Sequence, residues 1–180
     1  MSGQVLIAFG ANIDPLNNLY HGLTHLHRAI NLAGISTVWR TKPLPDPKWQ
    51  GDDAEPGGSY LNGAVLSHIR IDPFVLKKIL RKIESDCHRV RSPNRFAPRP
   101  LDLDIAMIGS EVINEPELTL PDPDILSRSF VVHPMAQLAP ELIHPLENES
   151  LAQLAACFSL PDAGMVEDSD ATDLLQSIIR

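Results

Sequence analysis

Cysteine is nearly absent. The two present, Cys87 and Cys157, stand at no metal-ligand spacing, so the chain encodes neither a disulfide framework nor a zinc module. Both fall at positions compatible with an apolar helix face and read as free core thiols. Aromatic residues make up only 5% of the 180 residues, which leaves aliphatic side chains to build the core. No apolar run reaches the ~18 residues of a membrane span. No basic segment followed by an apolar stretch opens the sequence as a secretory signal would. A cytoplasmic protein is the expectation. There is no Walker-type phosphate loop, no nucleophile elbow, no internal repeat and no low-complexity tract. The seven histidines form no ligand pattern; His21 and His25 share a helix face but have nothing nearby to complete a site.

Positive charge is scarce in the second half. Residues 1–100 hold 13 Lys/Arg against 8 Asp/Glu, net +5, and residues 101–180 hold 2 against 15, net −13. The acidic half argues against broad nucleic-acid binding, which needs a continuous basic surface. What remains is local: Arg89, Arg91, Arg95 and Arg99, in a segment with no acid from His88 to Arg99. Such a cluster suits a small polyanion.

A hydrophobic content of 43% suffices for one core, and the length for one domain. "VLIAF" (5–9) reads as a buried strand. Asp14-Pro15 marks a helix start, and Leu16, Leu19, Leu23, Leu26, Ile30 and Ala33 follow on one face until Gly34 stops the helix. "STVWRT" (36–41) reads as a second strand. The Pro/Gly/Asp-rich stretch 43–59 reads as a mobile functional loop. "YLNGAVLSHI" (60–69) is a third strand. Asp72-Pro73 opens a second amphipathic helix carrying Leu76, Ile79, Leu80, Ile83 and Cys87. The arginine loop and a fourth strand complete a βαββαβ order, that of a ferredoxin-like α/β sandwich. Short strands or a hairpin are expected beyond Glu111, then short helices over 134–138 and 150–158. Residues 1–160 form the expected domain. Residues 161–180 read as an acidic tail, carrying at most a short helix around Thr172–Ile179 and dispensable for catalysis.

The fourth strand contains the chemistry. In "RPLDLDIA" (99–106), Leu101, Leu103 and Ile105 alternate toward a core. Asp102 and Asp104 therefore project together from the other face, their Cα atoms roughly 6.5–7 Å apart. Taken singly, a wet strand face explains the aspartates and a solvated loop explains the arginines. Their adjacency favours a metal and a polyanion between them, because paired carboxylates repel unless a cation intervenes. Mg²⁺ prefers such oxygens together with phosphate oxygens.

Arg95-Phe96-Ala97-Pro98-Arg99 followed by Asp102-Leu103-Asp104 resembles the signature of the 6-hydroxymethyl-7,8-dihydropterin pyrophosphokinase family. "IAFGAN", "WRTKPL", "YLNGAV", "RVR", "EVIN" and "APEL" follow in the family's order, over roughly residues 4 to 158. The resemblance implies an enzyme of folate biosynthesis that transfers the β,γ-diphosphate of ATP to a pterin hydroxymethyl group and releases AMP. It implies that Asp102 and Asp104 hold two Mg²⁺ ions and that Arg89 and Arg99 stabilise the transferred phosphates. Arg91 would clamp the closed loop. Tyr60 and Phe130 would sandwich the pterin, while Asn62 and the backbone at Thr41, Pro43 and Leu44 read its polar edge. Glu84, Ile105, Thr119 and Arg128 would line the nucleotide side. The expected partners are ATP and a reduced pterin, with no nucleic acid, no membrane and a monomeric chain.

Four positions depart from the family pattern. Ala11 replaces a serine. Phe96-Ala97 replaces Trp-Gly, and alanine reaches positive φ less cheaply than glycine. Asp122 stands where a histidine is usual, near the expected phosphates, so Asp122→His should tighten ATP binding. A diverged paralogue acting on another pterin, or a non-catalytic pterin-binding protein, stays open on these grounds. An RNA-binding module on the same topology would need stacking aromatics and a basic sheet face; the aspartate pair speaks against it.

Overall fold

A computed structural model describes residues 3–42, 58–89, 97–158 and 164–180. Its centre is strand β1 (Val5–Ala11), hydrogen-bonded antiparallel to β4 (Tyr60–Ser67) on one side and β5 (Asp102–Ile108) on the other. Strands β2 (Leu32–Ile35) and β3 (Trp39–Thr41) both pair with β4. Helices α1 (Pro15–Ile30) and α2 (Pro73–Asp86) cover one face. This is the ferredoxin-like βαββαβ arrangement.

Local chemistry explains where the elements stop. Asp72 caps α2 as expected, its carboxylate accepting from the backbone N–H groups of Phe74 and Val75. Asp14 also stands at a helix start, but in left-handed conformation at φ 39°, and its side chain takes the Asn17 amide instead. Asn31, not Gly34, ends α1. It adopts φ 52° and donates to the His27 carbonyl, a conformation asparagine reaches more easily than most residues. Ala33 and Gly34 thereby belong to β2.

Of the strand expected over 36–41 only residues 39–41 form one, and residues 36–38 separate it from β2. Backbone groups that could extend it are taken by side chains from distant elements: Thr37 N–H donates to Gln137 Oε1 at 2.8 Å and Val38 N–H to Thr172 Oγ1 at 2.9 Å. The hairpin beyond Glu111 is present as β6 (Ile113–Glu115) and β7 (Leu118–Leu120). Helix α3 (Ser129–Leu138) starts before Pro134 rather than at it, the proline sitting inside the helix. Its missing N–H would have bonded the Phe130 carbonyl. Helix α4 (Leu151–Ala156) carries a full capping box between Ser150 and Gln153. Cys87 is half-buried against the core, but Cys157 is exposed, so only the first fits the core-thiol reading. Among the described residues no helix is long and apolar enough to cross a membrane.

The two faces of the sheet carry different cores. Val5, Ile7, Phe9, Leu61, Val65, Leu103 and Ile105 face α1 and α2. The opposite side, with Leu6, Ala64, Leu66, Ala106 and Met107, faces α3 and α4. The helices cover only part of that second side. Beyond them the sheet presents Ala8, Gly10, Asn62, Asp102 and Asp104 to an open cleft.

Residues 164–180 are not a loose tail. Strand β8 (Val166–Glu167) extends the sheet beyond β3, and helix α5 (Ser169–Gln176) buries Ala171 and Leu175 in the core shared with α1. Burial of apolar positions three and four apart outweighs the acidic composition, because Asp170 and Asp173 face water and Asp168 caps the helix and pairs with Arg40. Leu175 is fully buried. Leu175→Ala should therefore cost about 2–5 kcal/mol, read from urea unfolding of the full chain; a loss below about 0.5 kcal/mol, the range of an ordinary surface substitution, would place α5 outside the cooperative core.

Candidate active site

Three neighbouring strands bring the site together. Gly10 on β1 pairs with Asn62 on β4 and with Asp102 on β5. A polar amide and a carboxylate thus flank one glycine, two strand spacings or roughly 10 Å apart. A Cβ on Gly10 would meet Asn62 Oδ1 at 2.7 Å, so only glycine lets the Asn62 side chain lie across β1. Asn62 is itself fixed: its Nδ2 donates to Thr41 Oγ1 at 2.8 Å. Gly10→Ala should displace that amide while the melting temperature falls only modestly, measured by NMR of the Asn62 side-chain amide and a thermal scan.

Asp102 and Asp104 both line the cleft, two residues apart on β5, yet their environments oppose each other. Burial works against the charge on Asp102, but Arg89 and Arg99 each bond one of its oxygens and hold it below the usual carboxylate range. Arg99 gains in turn: desolvation opposes its charge, and the Asp102 carboxylate more than offsets this, raising it above its ordinary value. Asp104 forms no ion pair among the described residues. Desolvation, then the charges of Asp102, Asp122 and Glu84, push its carboxyl up to about 7. An acid so placed lacks positive charge. Its hard oxygen donors, beside those of Asp102, fit a divalent cation that prefers carboxylate and phosphate oxygens.

The cleft has a volume of about 390 Å³ and collects most of the residues singled out from the sequence: Thr41, Tyr60, Asn62, Arg99, Asp102, Asp104, Arg128 and Phe130. Arg128 reaches over the Phe130 ring at 5.8 Å from its centroid and pairs with Asp124 at 2.9 Å. Ile105 and Thr119 line an adjoining cavity of about 190 Å³, whose shared wall is Asp104, Asp122 and Pro123.

Glu84 and Arg89 are not among the residues lining these two cavities. Glu84 is 2% exposed, accepts from the Leu103 N–H at 3.0 Å and pairs with Arg89. A buried carboxylate requires such partners. Neither Glu84 nor Arg89 lines a described cavity wall; they stand behind Asp102 and tie the end of α2 to β5. Pro43, Leu44 and Arg91 lie outside the described residues, as do Arg95, Phe96 and most of the 43–59 stretch.

The sequence model of the 7,8-dihydro-6-hydroxymethylpterin-pyrophosphokinase (HPPK) family matches residues 6–140. The chain belongs to this family. A Haemophilus influenzae 2-amino-4-hydroxy-6-hydroxymethyldihydropteridine pyrophosphokinase is 33% identical over 142 residues, covering 77% of this chain and 83% of that protein. The Pseudomonas aeruginosa protein of the same name is 31% identical over 160 residues, covering 87% and 93%. Among solved structures, wild-type Plasmodium falciparum HPPK-DHPS superposes with a TM-score of 0.60 at 13% identity, over 87% of this chain and 45% of that one. That likeness is one of fold.

Within this HPPK chain, several cleft residues carry no signal in the sequence. Lys77, Leu80 and Arg81 of α2 line the smaller cavity, and Lys42 lines the larger. Lys77 and Arg81 are four apart and read as a solvated helix face. Only the docking of α2 beside β5 turns that face toward Asp104 and Thr119. Asp122 also acts as a helix cap. Its Oδ1 accepts from the Asp124 N–H at 2.9 Å, at the start of the short 3₁₀ helix Pro123–Leu126. Burial raises its carboxyl above the ordinary range, and the Asp124 and Asp102 charges add to this.

Proposed function

We propose that the chain transfers the β,γ-diphosphate of ATP to 6-hydroxymethyl-7,8-dihydropterin, giving AMP and the pterin diphosphate in folate biosynthesis, and that it does so with Mg²⁺ held by Asp102 and Asp104. The observation that carries this reading is one cleft with two unlike ends: an aromatic and amide end at Tyr60, Asn62 and Phe130, and a charged end at Arg99, Asp102 and Asp104. Its volume falls within the usual range for small-molecule sites, roughly 300–1,000 Å³.

At the first end, Tyr60 and Phe130 supply apolar ring faces for a flat heterocycle. One Asn62 N–H is held by Thr41, which fixes the amide and leaves its oxygen to accept from a donor on the pterin edge. At the second end, Arg99 reaches the cleft while holding Asp102, placing a guanidinium where phosphate charge must be accommodated. Arg89 and Glu84 fix the other Asp102 oxygen from behind. Both Asp102 oxygens retain lone pairs after accepting these bonds. When bound, the cation neutralises phosphate charge and favours the alkoxide form of the attacking hydroxyl. Side chains of the adjoining cavity, Ile105, Thr119 and Arg81 among them, offer the nucleotide an apolar and cationic wall. No protein nucleophile is required. The protein's contribution is alignment and charge.

Incubation with ATP, Mg²⁺ and 6-hydroxymethyl-7,8-dihydropterin should yield AMP and pterin diphosphate one to one. ADP as product would overturn the pyrophosphoryl assignment, turnover restricted to another pterin would mark a diverged paralogue, and pterin binding without AMP would leave a non-catalytic binder. Asp122→Asn keeps the cap for Asp124 but removes a charge from the wall between the two cavities. It should tighten a non-hydrolysable ATP analogue severalfold by calorimetry; unchanged or weaker binding would place the phosphates away from Asp122.

A further inference from the structure

The segment following the family match has a place in the cleft's construction. Met165 is only 4% exposed but belongs to neither main core. Its sulfur accepts a hydrogen bond from Ser129 Oγ at 3.2 Å. Ser129 is itself buried and immediately precedes Phe130 at the start of α3. Gly164, at φ +101°, provides the turn that delivers Met165, and it lies against Lys42, a cleft-lining residue next to Thr41. A side chain at Gly164 would be strained at that φ.

From there the segment runs back along the other edge of the same end of the cleft. β8 pairs with β3, Trp39 opposite Glu167 and Arg40 opposite Val166. Asp168 donates its N–H to the Val38 carbonyl at 2.9 Å and pairs with Arg40. Thr172 Oγ1 accepts from the Val38 N–H at 2.9 Å, and Gln176 donates to the Ile35 carbonyl at 3.1 Å. One short segment thus grips residues 35–40, which lead into Thr41, and contacts the residue beside Phe130.

We propose that Gly164–Gln176 is a positioning element of the pterin end of the cleft, with Met165 setting Phe130 through Ser129 and the β8–β3 pairing setting Thr41 and hence Asn62. The inference rests on the assignment of the Tyr60–Asn62–Phe130 pocket to the pterin. The segment touches no substrate. Its effect is geometric: a displacement of about 1 Å at a remote support costs up to ~10²-fold in rate, and binding residues hold geometry only when their supports are locked. The family match ends at residue 140, so the segment lies outside it.

The test uses full-length Met165→Ala, Met165→Leu and Arg40→Gln, with Phe130→Ala as control, all assayed well below their melting temperatures. Met165→Ala should raise the pterin KM about tenfold while the ATP KM stays within about twofold, and Met165→Leu should restore most of the loss by refilling the volume. Arg40→Gln, which frees β8 without opening a cavity, should shift the pterin KM in the same direction and less; it carries the test if Met165→Ala does not fold. A rise in both KM values together, or a lower melting temperature with both unchanged, would overturn the inference. Pterin binding that survives Phe130→Ala would instead overturn the pocket assignment, a failure distinguishable from that of Met165.

Discussion

Asp104→Asn is expected to reduce AMP formation by on the order of 10²–10³-fold, because it replaces the cleft carboxylate that most lacks a protein counter-charge. The same substitution should stabilise the metal-free protein at neutral pH. The carboxyl of Asp104 titrates near 7 in the fold against 3.8 for a free side chain. Below 3.8 both folded and unfolded chains hold the proton, and Asp104 makes no difference. Between 3.8 and about 7 the unfolded chain releases it first, so stability falls as pH rises and levels off above 7. Allowing for solvent screening in an open cleft, the loss is on the order of 1–2 kcal/mol. Thermal scans in EDTA should show Asp104→Asn and the parent melting together near pH 4 and diverging toward pH 8, the variant higher. Asp102→Asn should do the reverse, destabilising by about 1.5–3 kcal/mol at neutral pH because it removes the carboxylate that Arg89 and Arg99 share. A destabilised Asp104→Asn at pH 8 would mean that its carboxylate already has a cationic partner.

Ending the chain at residue 163 is expected to lower the melting temperature by about 10 °C or more. Burial of Met165 and Leu175, with half-buried Ile178 and Ile179, contributes on the order of 5–8 kcal/mol gross at about 1.5–3 kcal/mol per large apolar side chain. The ordering entropy of the segment offsets part of this. Its removal also exposes the apolar sides of α1 and β2 against which α5 packs. A net loss of about 3–5 kcal/mol, at roughly 2–4 °C per kcal/mol for a chain of this size, gives the stated shift. Circular dichroism melts and pterin titration of the shortened chain check it. A chain ending at 163 that melts within a few degrees of the parent and turns over normally would restore the reading of this segment as dispensable.

The alternation of Leu101, Leu103 and Ile105 was enough to place Asp102 and Asp104 on one sheet face, since the two-residue strand period leaves no other arrangement once a core claims one side. The leucine spacing of α1 and the Asp72-Pro73 start of α2 were legible for the same reason: these are local rules, satisfied within a few residues. The pairing of Gly10 with both Asn62 and Asp102 was not legible, because strand neighbours are chosen by the whole sheet. Nor was the different fate of two aspartates on one strand face, which depends on Arg89 and Arg99 bonding one and on Asp122 and Glu84 crowding the other. Composition misled at the C-terminus. Ala171, Thr172 and Leu175 become buried only because α1 and the split between β2 and β3 leave a surface and unpaired backbone groups for them to cover. Local periodicity determines which residues can share a face; only the packed chain decides what that face meets, and charge balance and burial follow from the meeting.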